Sequence, residues 1–178
     1  MAESNIMTQK TEKAGHSVRA PWWRGVRGEW YVAAQIVLIG LVFVGPRRLN
    51  AWPVWGAPYE RIALYPGALL ILAGGCLFLA GILKLGSRLT PLPHPKDNAT
   101  LVKTGPYAIV RHPIYAGGTL LAFGWAFLVH GWLTLLYAAV LTVFLDIKSA
   151  REERWLVERY SDYLKYRKRV RKLIPFIR

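Results

Sequence analysis

The segment GPYAIVRHPIYAGG, residues 105–118, sets a guanidinium (Arg111), an imidazole (His112) and two phenols (Tyr107 and Tyr115) directly ahead of an apolar run. An imidazole can accept or donate a proton near neutral pH, whereas a guanidinium can bind an anion or snorkel to phosphate headgroups. Pro113 disfavours helix at His112 yet suits the first turn of a following helix, so the spacing predicts His112 held at a helix mouth. Backbone N–H groups left free at such a start can bind a carboxylate or another electron-rich group. Farther along, REERWLVERYSDYLKYRKRVRKLIP (151–175) places Glu152 and Glu153 in an otherwise strongly basic tail. These acids have two readings: exposed ion pairs with Lys148, Arg151 and Arg154, or a carboxylate that receives the ammonium of an amino-acid-like cofactor. Carboxylate, helix start, aromatic walls and imidazole together suit a cationic, purine-containing ligand.

Bringing these groups together calls for membrane helices. The 178 residues are 53% hydrophobic and carry 24 Lys+Arg against 10 Asp+Glu, a net charge of +14. The basic residues flank long uncharged stretches instead of lining a soluble surface, which favours membrane lipids over nucleic acid as the partner. Four apolar runs, 30–44, 62–83, 114–129 and 132–147, give an all-α integral membrane fold of about four transmembrane helices. Only His130 and Gly131 separate the last two, which predicts a tight hairpin. Five basic residues precede the first run, five lie between the second and third, and eleven follow the fourth. Three lie between the first and second and none at the hairpin turn, so the positive-inside rule places both termini in the cytoplasm.

Residues 1–28 read as a flexible basic tail and 29–178 as one membrane domain. Its 148–178 segment is expected to lie on the cytoplasmic surface as an amphipathic helix, with the basic cluster 165–172 meeting anionic headgroups. The connector 84–103 carries TPLPHP and reads as a stiff cover over a site. Cys76 is the sole cysteine, which excludes an intrachain disulfide and a cysteine-rich metal site, and no metal is expected. Most glycines in the apolar runs serve close helix packing, whereas Gly117 and Gly118, just after the polar motif, are read as room for a ligand.

LVKTGPYAIVRHPIYAGG, a helical hairpin, then EERWL, YSDYLKY and RVRKLIP: this order resembles the isoprenylcysteine carboxyl methyltransferase family and its relatives among the phospholipid methyltransferases. The resemblance implies a multispan helical membrane protein that binds S-adenosylmethionine in a cytoplasmic pocket, with S-adenosylhomocysteine as product. Matched motif by motif, it implies cofactor contacts from Leu101, Val102, Tyr107, His112, Pro113, Ile114, Tyr115 and Glu152, with Gly117 and Glu153 alongside. His112 and Arg111 are the candidate catalytic groups. The family's substrate-side arginine falls near Lys148, with Arg151 as the close alternative, so these two are expected to face the acceptor. That acceptor would be lipid-like or otherwise hydrophobic, with a carboxylate among the candidates, and the short chain suits a bacterial inner membrane. Two rival functions remain at this stage, an NADPH-dependent sterol-type membrane reductase with a similar RHPxYxG pattern and a non-enzymatic membrane scaffold.

Overall fold

The computed structural model describes residues 29–50, 52–86 and 101–173. The expected amino-terminal tail and the proline-rich part of the connector lie outside the described residues. Among the described residues five α-helices follow one another: α1 (Glu29–Val44), α2 (Tyr59–Leu85), α3 (Pro113–Leu128), α4 (Trp132–Arg159) and α5 (Tyr163–Arg169), with a 3₁₀ turn at Gly105–Ala108 before α3. No strand occurs among the described residues, where the one β-type contact is an isolated parallel bridge between Val110 and Arg171.

The helices are long where the sequence is apolar and uninterrupted. α2 and α4 have the length and apolarity to cross a membrane, while α1 and α3 are shorter apolar helices. At about 1.5 Å per residue, α3 reaches some 24 Å, less than the ~30 Å of a typical hydrocarbon core. The outward faces carry Ile36, Val37, Leu69, Leu72 and Leu83, all exposed. Such faces are stable against hydrocarbon and costly against water.

The seam between α2 and α3 is built from glycines at heptad spacing. Gly67, Gly74 and Gly81 fall on one side of α2, and Gly117 and Gly124 on the facing side of α3. A Cβ on Gly74 would lie 2.8 Å from the Gly117 carbonyl oxygen, and one on Gly124 would lie 2.9 Å from the Gly67 carbonyl oxygen. At Gly117 the obstacles are the Phe78 amide nitrogen at 2.6 Å and the Gly74 carbonyl oxygen at 2.7 Å. The absent side chain of Gly117 therefore lets two backbones touch, which corrects its reading as room for a ligand. Gly118 faces open space. Gly117→Val should destabilise the protein by about 1–3 kcal/mol, because neither backbone can yield as a side chain could. Thermal unfolding in detergent checks this, and an unchanged midpoint would mean that the seam is loosely packed.

α4 differs from the expected division into a span and a separate surface helix. The apolar stretch 132–147 runs on without a break through KSAREERWLVER, a run of good helix formers without glycine or proline, until Tyr160 turns extended. Glu152 and Glu153 thus ride on the rigid continuation of a membrane helix. Beyond Tyr160 only the short α5 follows, and its Tyr163 and Tyr166 are buried against protein. The basic cluster is likewise only partly given over to solvent: Lys172 binds the Asp146 carboxylate at 2.7 Å, and Arg167 lies 3.4 Å from Glu153.

At the far end, the α3–α4 turn is fastened to the α1–α2 loop. His130 adopts a left-handed φ of 51°, and its Nε2 lies 2.8 Å from the Glu60 carbonyl oxygen. Trp55 packs against Phe127, His130 and Trp132, and the Leu133 amide donates to the Arg47 carbonyl. This cap fixes the hairpin at one end while the polar motifs converge at the other.

Candidate functional site

His112 stands at the N-cap of α3, with Pro113 at the first helical position. The chain just after α5 returns alongside it: the Arg111 amide donates to the Arg171 carbonyl at 2.7 Å and the His112 amide to the Lys172 carbonyl at 3.1 Å. These two bonds hold the RHP segment extended up to Pro113. No side chain caps α3, so the N–H groups of Ile114 and Tyr115 have no carbonyl one turn earlier to serve them.

Successive residues on a helix project about 100° apart, which gives the two glutamates different surroundings. Glu153 turns toward Arg111, whose Nε donates to its Oε1 at 2.8 Å, in an ion pair whose side chains are only 9% and 4% exposed. Arg111 also donates to the carbonyls of Arg167 and Val170. Its guanidinium is thereby engaged on several sides, in a clamp joining the segment before α3, α4 and the end of α5. Glu152 turns toward Tyr115, whose hydroxyl donates to its Oε1. The His112 ring lies between the two acids, with Nε2 3.2 Å from Glu153 Oε1 and Nδ1 3.6 Å from Glu152 Oε2. It also stacks on the Tyr115 ring, centroids 5.6 Å apart and planes 6° from parallel.

The electrostatic consequences diverge. Both acids lie beyond the apolar stretch of α4. Burial raises the Glu152 pKa, and its neighbours His112, Tyr115 and Lys148 offset that only in part. At Glu153 burial acts in the same direction but is outweighed by the hydrogen bonds from His112 and Arg111, which hold the carboxyl at about 2. Tyr107, packed under the site with its hydroxyl donating to the Gly81 carbonyl, is pushed up to about 12 by burial first and Glu152 second. It therefore stays protonated as a donor.

Because folding depresses the Glu153 pKa from 4.5, the stability it contributes is complete above about 4.5 and is lost as the pH falls toward about 2. Acid titration of the thermal midpoint should show this loss in the wild type and lack it in Glu153→Gln. Parallel titrations in that window would remove Glu153 from the clamp.

The structure gathers Arg111, His112, Pro113, Ile114, Tyr115, Glu152 and Glu153 at one end of the bundle, with Tyr107 beside them. Leu101 and Val102 lie half-buried in the segment leading to the 3₁₀ turn. Gly117 belongs to the helix seam. The two acceptor-side candidates separate: Lys148 is 1% exposed, its Nζ donating to Gln35 Oε1 at 2.6 Å and lying 5.3 Å over the Tyr115 ring. Arg151 is exposed and lies over the rings of Tyr31 and Trp155. Four contributors have no counterpart in the sequence reading of the site. Tyr166 donates its hydroxyl to the Tyr107 carbonyl, Tyr163 packs edge-on against Tyr166, Arg167 faces Glu153, and Gln35 holds Lys148. The YSDYLKY motif and a lone glutamine in an apolar helix were the available signals.

Fold and site together describe a helical membrane protein with a cluster of polar side chains gathered where the start of α3 meets the polar end of α4. A family model described as phospholipid methyltransferase matches residues 62–163. Methanethiol S-methyltransferase 1 of Bradyrhizobium diazoefficiens is 45% identical over 73 residues, 40% of this chain and 25% of that protein. Methanethiol S-methyltransferase of Pseudomonas deceptionensis is 31% identical over an alignment covering 92% of this chain and 68% of the relative. Among solved structures, the eukaryotic intramembrane Ras methyltransferase ICMT (isoprenylcysteine carboxyl methyltransferase) aligns with a TM-score of 0.50 at 21% identity. That alignment covers 84% of this chain and 63% of that one, and the likeness is one of fold. The chain belongs to the phospholipid methyltransferase family, as its motifs indicate, and has an integral membrane helical fold. It spans only a quarter of the Bradyrhizobium relative's length.

Proposed function

We propose that the protein is a membrane methyltransferase of four transmembrane helices, α1 to α4, that uses S-adenosylmethionine to methylate a hydrophobic acceptor. Both termini lie in the cytoplasm, and two bacterial relatives favour a bacterial inner membrane. Support comes from the family match, the distribution of basic residues and above all Glu152. Its carboxylate is 15% exposed, faces Tyr115 and His112, and sits across from the uncapped start of α3. A carboxylate opposite free N–H groups fits a zwitterionic amino-acid moiety, with Glu152 taking the ammonium and Ile114 and Tyr115 the carboxylate. Tyr107, Leu101 and Val102 supply aromatic and apolar walls for a nucleoside.

S-adenosylmethionine, when bound, supplies an electrophilic methyl on a sulfonium. The protein's task is alignment, since holding two reactants at near-attack distance accounts for several kcal/mol of a displacement barrier. A hydrophobic acceptor would approach laterally from the bilayer, along the exposed apolar faces of α1 and α2. For an ionised acceptor no base is required; for a thiol, His112 is placed to receive the proton. Arg111, engaged with Glu153 and two carbonyls, positions His112 instead of touching reactants.

Calorimetry of the detergent-purified protein should give saturable binding of S-adenosylhomocysteine and none of NADPH. NADPH binding without S-adenosylhomocysteine binding would convert the reading to a membrane reductase, and binding of neither would favour a scaffold.

A further inference from the structure

α5 has two faces of opposite character. At about 100° per residue, Tyr163, Tyr166, Arg167 and Val170 fall on one side and Leu164, Lys165, Lys168 and Arg169 on the other. The inner side is tied into the polar cluster. Tyr163 and Tyr166 are buried, and the Tyr166 hydroxyl donates to the Tyr107 carbonyl. Arg167 lies 3.4 Å from Glu153, while its own carbonyl accepts from Arg111. The outer side carries three exposed cations and Leu164, itself 52% exposed. Among the described residues no ion pair engages Lys165, Lys168 or Arg169.

The chain just after α5 sets the depth of this face. Lys172 Nζ donates to the Asp146 carboxylate at 2.7 Å and to the Asp146 carbonyl at 2.8 Å. Asp146 is the first charged residue of α4, after the uncharged stretch 132–145. With that stretch in hydrocarbon, Lys172 marks its polar edge, and the chain from there back to Arg169 spans at most about 10 Å. The outer face of α5 is thus placed at headgroup depth. An exposed leucine among cations suits such a surface better than water, since the cations meet phosphates and the leucine enters the interface.

We propose that the outer face of α5 docks on anionic lipid headgroups, and that this docking seats the strap that closes the polar cluster. Held at the surface, α5 keeps Tyr166 on the 3₁₀ turn and keeps the carbonyls of Arg167, Val170, Arg171 and Lys172 in place for Arg111 and His112. The basic cluster is divided in its work: Arg167 and Lys172 bind the protein, while Lys165, Lys168 and Arg169 bind the membrane. Lipid charge thereby becomes a condition for an assembled site.

The test places the full chain in nanodiscs of phosphatidylcholine alone or of equal parts phosphatidylcholine and phosphatidylglycerol. A nitroxide on Leu164→Cys, in a Cys76→Ser background, should be shielded from a water-soluble relaxant in the mixed discs and open to it in the neutral ones. The Arg111 and His112 amides, which donate to the Arg171 and Lys172 carbonyls, should exchange hydrogen at least about fivefold more slowly in the mixed discs. That factor is the equivalent of one basic side chain at an anionic surface. Combining Lys165→Gln, Lys168→Gln and Arg169→Gln should abolish both differences, whereas combining Lys165→Arg, Lys168→Arg and Arg169→Lys should keep them. Equal shielding in the two lipids overturns the docking. Exchange that ignores lipid charge, or a difference that survives the glutamine variant, overturns its coupling to the site. Neither readout uses a cofactor, so these outcomes are separate from S-adenosylhomocysteine binding.

Discussion

Arg111→Met should cost about 3 kcal/mol of stability, at the lower end of the ~3–5 kcal/mol seen when one member of a buried ion pair is removed. The guanidinium bridges Glu153 on α4 and the carbonyls of Arg167 in α5 and Val170 just beyond it, so its loss strands a carboxylate that is only 4% exposed. The Arg167 guanidinium at 3.4 Å remains as a partial partner, which is why the lower figure is expected. Adding Glu153→Gln to Arg111→Met should recover part of the loss, because the stranded charge is then gone. Thermal unfolding of the four variants in detergent gives the coupling between the two positions. Additive losses would show that Arg111 and Glu153 act independently and would dissolve the clamp. A full loss of methyl transfer in Arg111→Met without any loss of stability would return Arg111 to direct contact with reactants.

The reach of the sequence reading follows the reach of its physical rules. Pro113 restricts the residue before it and pre-sets the turn after it, so the helix mouth at His112 is written in adjacent residues. The family pattern adds Tyr115 and Glu152 because their motifs occur in a fixed order. The Arg111–Glu153 pair is harder, since it depends on where α4 stops. Basic and acidic residues after Ile147 suggest a surface segment, but their helix propensity carries the span straight through to Arg159. The pairing of Lys172 with Asp146 is hidden for the same reason: anionic lipid and an anionic side chain appeal equally to a basic cluster. Gly117 shows the opposite failing. Its nearness to the polar motif suggests a ligand, whereas its seven-residue spacing from Gly124, matched by Gly67, Gly74 and Gly81 on α2, points to the seam that the structure contains.

Glu152→Gln should weaken S-adenosylhomocysteine binding by roughly tenfold to a hundredfold, the equivalent of a charge-assisted hydrogen bond of about 1.5–3 kcal/mol. It should also raise the thermal midpoint of the ligand-free protein near neutral pH. The second effect follows from the direction of the Glu152 pKa, which burial raises above its ordinary value despite His112, Tyr115 and Lys148. A carboxyl whose folded pKa is raised costs stability wherever the unfolded chain would have it ionised; the cost is full above the raised value, shrinks as the pH falls below it, and is gone below the ordinary 4.5. Glutamine keeps the shape and can still accept the Tyr115 hydroxyl, yet it carries no charge to bury. A group that destabilises the empty protein and strengthens ligand binding is what a binding site requires of a carboxylate, and a surface ion pair has the opposite signature. The two measurements therefore decide together. Lower affinity with a higher midpoint places Glu152 at the cofactor. Unchanged affinity with a lower midpoint would make it a structural partner of Tyr115 and His112, and the zwitterion site opposite α3 would lose its anionic half.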